Sequence, residues 1–168
     1  NKTTREDFLY QISSIEGVYI PSFYDVTYNE DNTVKEVVPN RENIPAKPHK
    51  RIIKDVENVP YPEKLIVPFI DTVHNRVVLE LFRGCTRGCR FCQAGMIYRP
   101  IREKSVDRLK EIVDKLVKST GYDEISLSSL STSDYSKLSE LTDYLVDEYA
   151  SNNIGISLPS LRLDNFSM

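Results

Sequence analysis

Cys85, Cys89 and Cys92 fall within eight positions of one another and are the only cysteines in the 168-residue sequence. A disulfide framework would spread an even number of cysteines along the chain. Three clustered ones suit a reducing compartment and a metal instead. They lie in Arg83-Gly84-Cys85-Thr86-Arg87-Gly88-Cys89-Arg90-Phe91-Cys92-Gln93-Ala94-Gly95, a C-x3-C-x2-C spacing. The glycines let the backbone turn back on itself, and thiolates are the ligands that iron–sulfur clusters need. A four-iron cluster held by three thiolates keeps one iron open to a small chelating ligand.

Other chemistries fit this pattern less well. A structural zinc site wants four closed ligands. The only histidines, His49 and His74, both lie upstream, and there is no second cysteine pair. A nucleophilic cysteine needs no two companions at this spacing, and three unliganded buried cysteines need no glycines. Arg83, Arg87, Arg90, Arg99 and Arg102 gather near the cysteines in sequence. Two readings of them stay open: some pair with local carboxylates while the rest are solvated, or they meet an anionic cofactor or substrate. A net charge of -3 argues against broad electrostatic binding to nucleic acid, though it does not exclude a local patch.

The elements around the cysteines read as β-α-β-α-β. Val77 to Phe82 is a short apolar run of strand length. Residues 105–119 then place Val106, Leu109, Ile112, Val113, Leu116 and Val117 on one helical face. Ser105 is the expected N-cap of that helix and Gly121 its stop. Residues 124–130 form the next strand. A second helix carries Leu138, Leu141, Leu145 and Tyr149, with Asp134 as its expected cap, and residues 154–158 form the third strand. This alternation predicts an α/β fold with parallel strands. Chemistry in such folds sits at the carboxyl ends of strands, which directs attention to residues 83–102, 130–135 and 159–164.

The first part of the chain reads differently. Residues 4–14 are expected to form a short helix. A strand over Val18 to Tyr28, interrupted at Pro21, should pair with residues 33–38 across the polar turn 29–32. Residues 39–63 hold five of the nine prolines, which blocks helices and central strands and predicts an extended linker with one short strand at 51–54. The expected division is therefore 1–75, helix, hairpin and linker, and 76–168, the β/α part.

C-x3-C-x2-C with an aromatic residue, Phe91, before the last cysteine resembles the signature of radical S-adenosylmethionine (radical SAM) enzymes. The preceding apolar strand and the following amphipathic helix give it the matching context. The resemblance implies that residues 76–168 form the first half of a (β/α) radical SAM barrel, behind a small hairpin and linker region. It implies that Cys85, Cys89 and Cys92 ligate a 4Fe-4S cluster, and that its open iron binds the amino and carboxylate groups of S-adenosylmethionine. Reductive cleavage, fed by an electron donor, then gives a 5'-deoxyadenosyl radical that abstracts hydrogen from an unknown substrate. Phe91 is expected near the adenine. The family's glycine-rich turn after the second strand is here Ser128-Ser129-Leu130-Ser131-Thr132-Ser133-Asp134, so Ser128, Ser129 and Ser131 become the candidate cofactor contacts, or merely a turn and helix cap. Ser160 and Arg162 would face the same cavity, with Arg162 free to pair a carboxylate or its neighbour Asp164. A redox-sensing or scaffold protein that keeps the cluster without radical catalysis is the alternative.

A longer match resembles bacterial proteins that join a cobalamin-binding-like domain to a radical SAM core. It runs through the cysteine segment, Tyr98-Arg99-Pro100-Ile101-Arg102, Ser129 to Tyr135, Ser157 to Arg162, and Gly17 to Tyr24. That resemblance implies a cobalamin site in a domain absent from this chain. With Asn1 first and Met168 shortly after the third strand, the chain is expected to be a piece of a longer protein, inactive alone. Unpaired barrel edges predict that it self-associates. No apolar run approaches the roughly 20 residues that span a bilayer, and no basic segment followed by an apolar one opens the sequence. The expected location is cytoplasmic, without a membrane partner.

Overall fold

A computed structural model describes residues 3–70 and 72–165. The chain divides into two compact units, Asn1–Ile53 and Lys54–Met168.

In the first unit, Thr4 and Asp7 start helix α1 (Arg5–Ser13) with a reciprocal capping box. A 3-10 turn over Pro21–Phe23 leads into β1 (Tyr24–Tyr28), which pairs antiparallel with β2 (Val34–Pro39). Asn32 takes the left-handed conformation in the turn between them. Ile20, Phe23 and Tyr24 are the buried core. Contrary to expectation, no strand forms at residues 51–54. A strand needs a ladder, and none of the described sheets includes these residues.

The second unit is an α/β assembly. Its parallel sheet has the order β3 (Val77–Glu80), β6 (Glu124–Ser128), β7 (Gly155–Ser157). Between β3 and β6 runs helix α3 (Val106–Thr120), and between β6 and β7 helix α4 (Leu138–Tyr149). Ser105 accepts from the Arg108 N–H at the start of α3, and Gly121 ends it in the left-handed conformation. The predicted face of α3 is buried from Val106 to Leu116. It packs with Val77, Leu79, Ile125, Leu127, Leu141 and Leu145 into one core. Several of these leucines are wholly buried, so truncating any one of them to alanine costs about 2–5 kcal/mol.

The first strand changes partners at Leu81. Its N–H donates to the Ser128 carbonyl at 3.0 Å, while its own carbonyl accepts from the Lys104 N–H at 3.0 Å. Beyond it, β4 (Phe82–Arg83) pairs antiparallel with β5 (Arg102–Glu103). This two-residue ladder closes the base of the excursion that carries the cysteines. The short helix α2 (Ala94–Ile97) lies inside that excursion.

Residues 54–63 contribute to the second unit despite their prolines. Val56 is buried, Tyr61 donates to the Val78 carbonyl at 2.6 Å, and Glu63 pairs with Lys115 at 2.6 Å. Among the described residues, no helix is long and apolar enough to cross a membrane.

Candidate functional site

Leaving β4, residues 84–93 form no helix or strand. Gly84 makes this possible. Its φ is +105°, and a Cβ there would lie 2.5 Å from the Pro100 carbonyl oxygen and 2.7 Å from that of Tyr98. Only glycine permits both the conformation and the approach. The outgoing and returning arms of the loop therefore press together at its root.

Cys85 and Cys92 are partly buried, Cys89 is exposed, and none forms a disulfide. The Cys92 N–H donates to the Cys89 carbonyl at 3.0 Å, turning the chain between the last two thiols. Three free thiols on one loop are the donor type that an iron–sulfur cluster takes. Their arrangement is open, however. Among the described residues, no three Cys, His, Asp or Glu side chains are grouped to hold a metal ion. The donor chemistry is the kind that suits an iron–sulfur cluster.

Much of the arginine ring is engaged by the protein itself. Arg83 binds Glu80 through two nitrogens, at 2.8 and 3.1 Å. The Lys104 ammonium, nearly fully buried, reaches both the Glu80 carboxylate and the Glu80 carbonyl at 2.9 Å. Burial pushes the Glu80 carboxyl up, but the bonds from Arg83 and Lys104 outweigh it and hold the group below its ordinary value. Arg99 donates to the Thr86 carbonyl at 3.3 Å. Arg102 donates to the carbonyls of Pro100 and Tyr98 at 3.1 and 3.4 Å. Arg87, between the first two cysteines, grips the Asp134 carboxylate with two nitrogens.

Asp134 does not cap α4, as its position suggested. The Lys137 N-cap has no side-chain cap bond, and the Asp134 carboxylate is occupied by Arg87. That pairing holds its pKa at about 2 against the upward push of burial, with help from Ser131 and Asn165.

The candidate serines lie at the carboxyl end of β6. Ser128 is the last strand residue, and its carbonyl accepts from Leu81. The Ser129 hydroxyl lies 3.1 Å from that of Thr132 and accepts from the Ser131 N–H at 3.3 Å. The Ser131 hydroxyl is buried, close enough to Asp134 to favour its ionised form. Ser160, after β7, has a φ of +59°, and its carbonyl accepts from the Thr132 N–H at 3.1 Å. The Arg162 guanidinium is taken by Asp164. Phe91 is 93% exposed and stands clear of the serines' packing. Sequence reasoning placed the cysteines and serines at strand ends. It did not find the Glu80–Lys104 pair or the Arg87–Asp134 pair, whose members are 24 and 47 residues apart.

The sequence of this chain matches known proteins. The chain is 32% identical over 161 residues to an uncharacterized protein of Methanocaldococcus jannaschii, a match covering 88% of this chain and 35% of that protein. It thus spans about a third of the length of the curated relative it matches. The sequence model of the radical SAM superfamily matches residues 79–165, from the first strand of the parallel sheet through the loop after the third. With its cysteine loop at the carboxyl end of the first strand of a β-α-β-α-β sheet, the chain belongs to the radical SAM superfamily.

Proposed function

We propose that this chain is the cluster-holding part of a radical SAM enzyme, with Cys85, Cys89 and Cys92 as ligands of a 4Fe-4S cluster. The observation that carries the reading is the set of three free thiols at C-x3-C-x2-C spacing, inside the segment that matches the family. Cys85, Cys89 and Cys92 would hold the cluster, which when reduced would supply the electron for reductive cleavage of S-adenosylmethionine.

The chain's own residues bind and orient. Gly84 and the β4–β5 ladder set the root of the ligand loop. The buried Ser131 hydroxyl and its neighbours Ser128 and Ser129 offer donors and acceptors to the polar end of S-adenosylmethionine. Phe91 offers an exposed ring for adenine to stack on. Arg162 would meet a carboxylate only by leaving Asp164.

The test has two arms. Anaerobic reconstitution of the chain should yield about four irons and matching sulfide per chain, and replacing any one of the three cysteines by alanine should abolish most of that uptake. In the full-length parent, dithionite and S-adenosylmethionine should then yield 5'-deoxyadenosine. Zinc in place of iron after anaerobic purification would overturn the ligand assignment. An intact cluster with no 5'-deoxyadenosine under reducing conditions would instead point to a redox-sensing or scaffold role.

A further inference from the structure

The cysteine loop is tied to the rest of the sheet's carboxyl end through one carboxylate. Arg87 stands between Cys85 and Cys89 and binds both oxygens of Asp134, in the loop after β6. The Asp134 side chain is only 9% exposed. From the loop after β7, Asn165 donates to the same carboxylate at 2.9 Å and to the Ser133 carbonyl at 3.3 Å. Two more bonds bind those loops together: the Thr132 N–H to the Ser160 carbonyl at 3.1 Å, and the Arg162 N–H to the Ser133 hydroxyl at 3.4 Å. Three strand-end loops, separated by tens of residues in sequence, thus meet at Asp134.

We infer that Asp134 is a positioning residue: acting through Arg87, it holds the cysteine loop over the ends of the second and third strands of the parallel sheet. The inference rests on the proposed ligand role of the cysteines only for its consequence in iron uptake. A charge-assisted, two-pronged bond is the strong and directional kind, and residues 84–93 have no helix or strand of their own to fix their course. Losing the tie lets the loop open more often and exposes its half-buried thiols.

A double-variant cycle on the metal-free chain tests this at one fixed pH, with cysteine alkylation followed by mass spectrometry of individual peptides. Asp134→Asn and Arg87→Gln should each speed modification of Cys85 and Cys92 by roughly three- to tenfold. The double variant should be no faster than either single one, and Asp134→Glu should restore part of the protection. Unchanged rates would overturn the inference, and so would independent, multiplying effects. So would opposite changes in the two single variants: removing Arg87 takes a cation from beside the thiols, whereas removing the Asp134 charge leaves that cation unneutralised, so a purely electrostatic influence must change sign.

If Asp134→Asn fails to fold by circular dichroism, Arg87→Gln decides alone through amide hydrogen exchange of residues 84–93, which thiol ionisation does not govern; unchanged exchange there refutes the tie. After anaerobic reconstitution, the single variants should hold less iron than the parent chain and show an altered electron paramagnetic resonance signal on reduction. Should the parent chain take up no iron while the alkylation cycle behaves as expected, the cluster reading falls and the positioning role stands. Full iron uptake with an unchanged signal in both variants would remove the positioning role and leave the cluster reading intact.

Discussion

Asp134 accepts hydrogen bonds from Arg87 and Asn165, and both favour its ionised form. Its pKa falls from an ordinary 3.8 to about 2 in the folded chain. A carboxyl depressed by folding contributes stability above its unfolded pKa and loses it as pH falls through the folded value. Asp134 therefore contributes on the order of 1–2 kcal/mol at neutral pH, fading between about pH 4 and pH 2. Urea unfolding at a series of pH values should show that slope in the parent chain and a shallower one in Asp134→Asn; parallel slopes would refute the assignment. This residue also shows where sequence reasoning stops. An aspartate four positions before a helix reads as a cap by local rules. Its partner is 47 residues upstream, a distance over which no local pattern carries information. The cysteines were legible because their chemistry and their spacing lie in one short segment.

At the scale of elements, legibility followed length. Helix α3 offered a cap, a stop and several apolar positions in one window, and its bounds came out within a residue or so. Helix α2 has four residues and β5 has two, too few for a periodicity to exist. Yet the β4–β5 ladder and the Gly84 crossing are what make a loop of the cysteine segment. Gly84 and Gly121 both have positive φ, but nothing lies within 4 Å of a Cβ added at Gly121, whereas one at Gly84 would meet two carbonyl oxygens below 3 Å. Gly121→Ala should thus cost about 1 kcal/mol, the backbone penalty alone. Gly84→Ala should cost about 3 kcal/mol or more, since the arms of the loop must also part. Thermal unfolding of both variants measures the difference, and equal losses would mean that the crossing at Gly84 is not tight in solution.

On the scale of the whole chain, the two units meet the sequence-based division differently. Prolines disfavour regular structure beyond β2, and its absence there reads as a linker through residue 75. Proline does not forbid packing. Val56 is buried, and Glu57 accepts from both the N–H and the hydroxyl of Ser105, placing a negative charge at the amino end of α3 where the helix dipole favours it. Tyr61 caps the Val78 carbonyl, and Glu63 holds Lys115. Together the buried valine, the tyrosine bond and the charge at the helix end are worth about 3 kcal/mol, with the exposed Glu63–Lys115 pair adding little. A chain of residues 54–168 should therefore unfold roughly 10 °C above one of residues 76–168, each prepared with the same end modifications and compared at the same concentration. Glu57→Gln in the longer chain should remove only a small part of that gap, because the burial of Val56 and the Tyr61 bond survive it. Equal midpoints for the two truncations would show that residues 54–75 lie on the second unit without stabilising it, and the boundary at residue 76 would then describe the folded unit better than the one at Lys54.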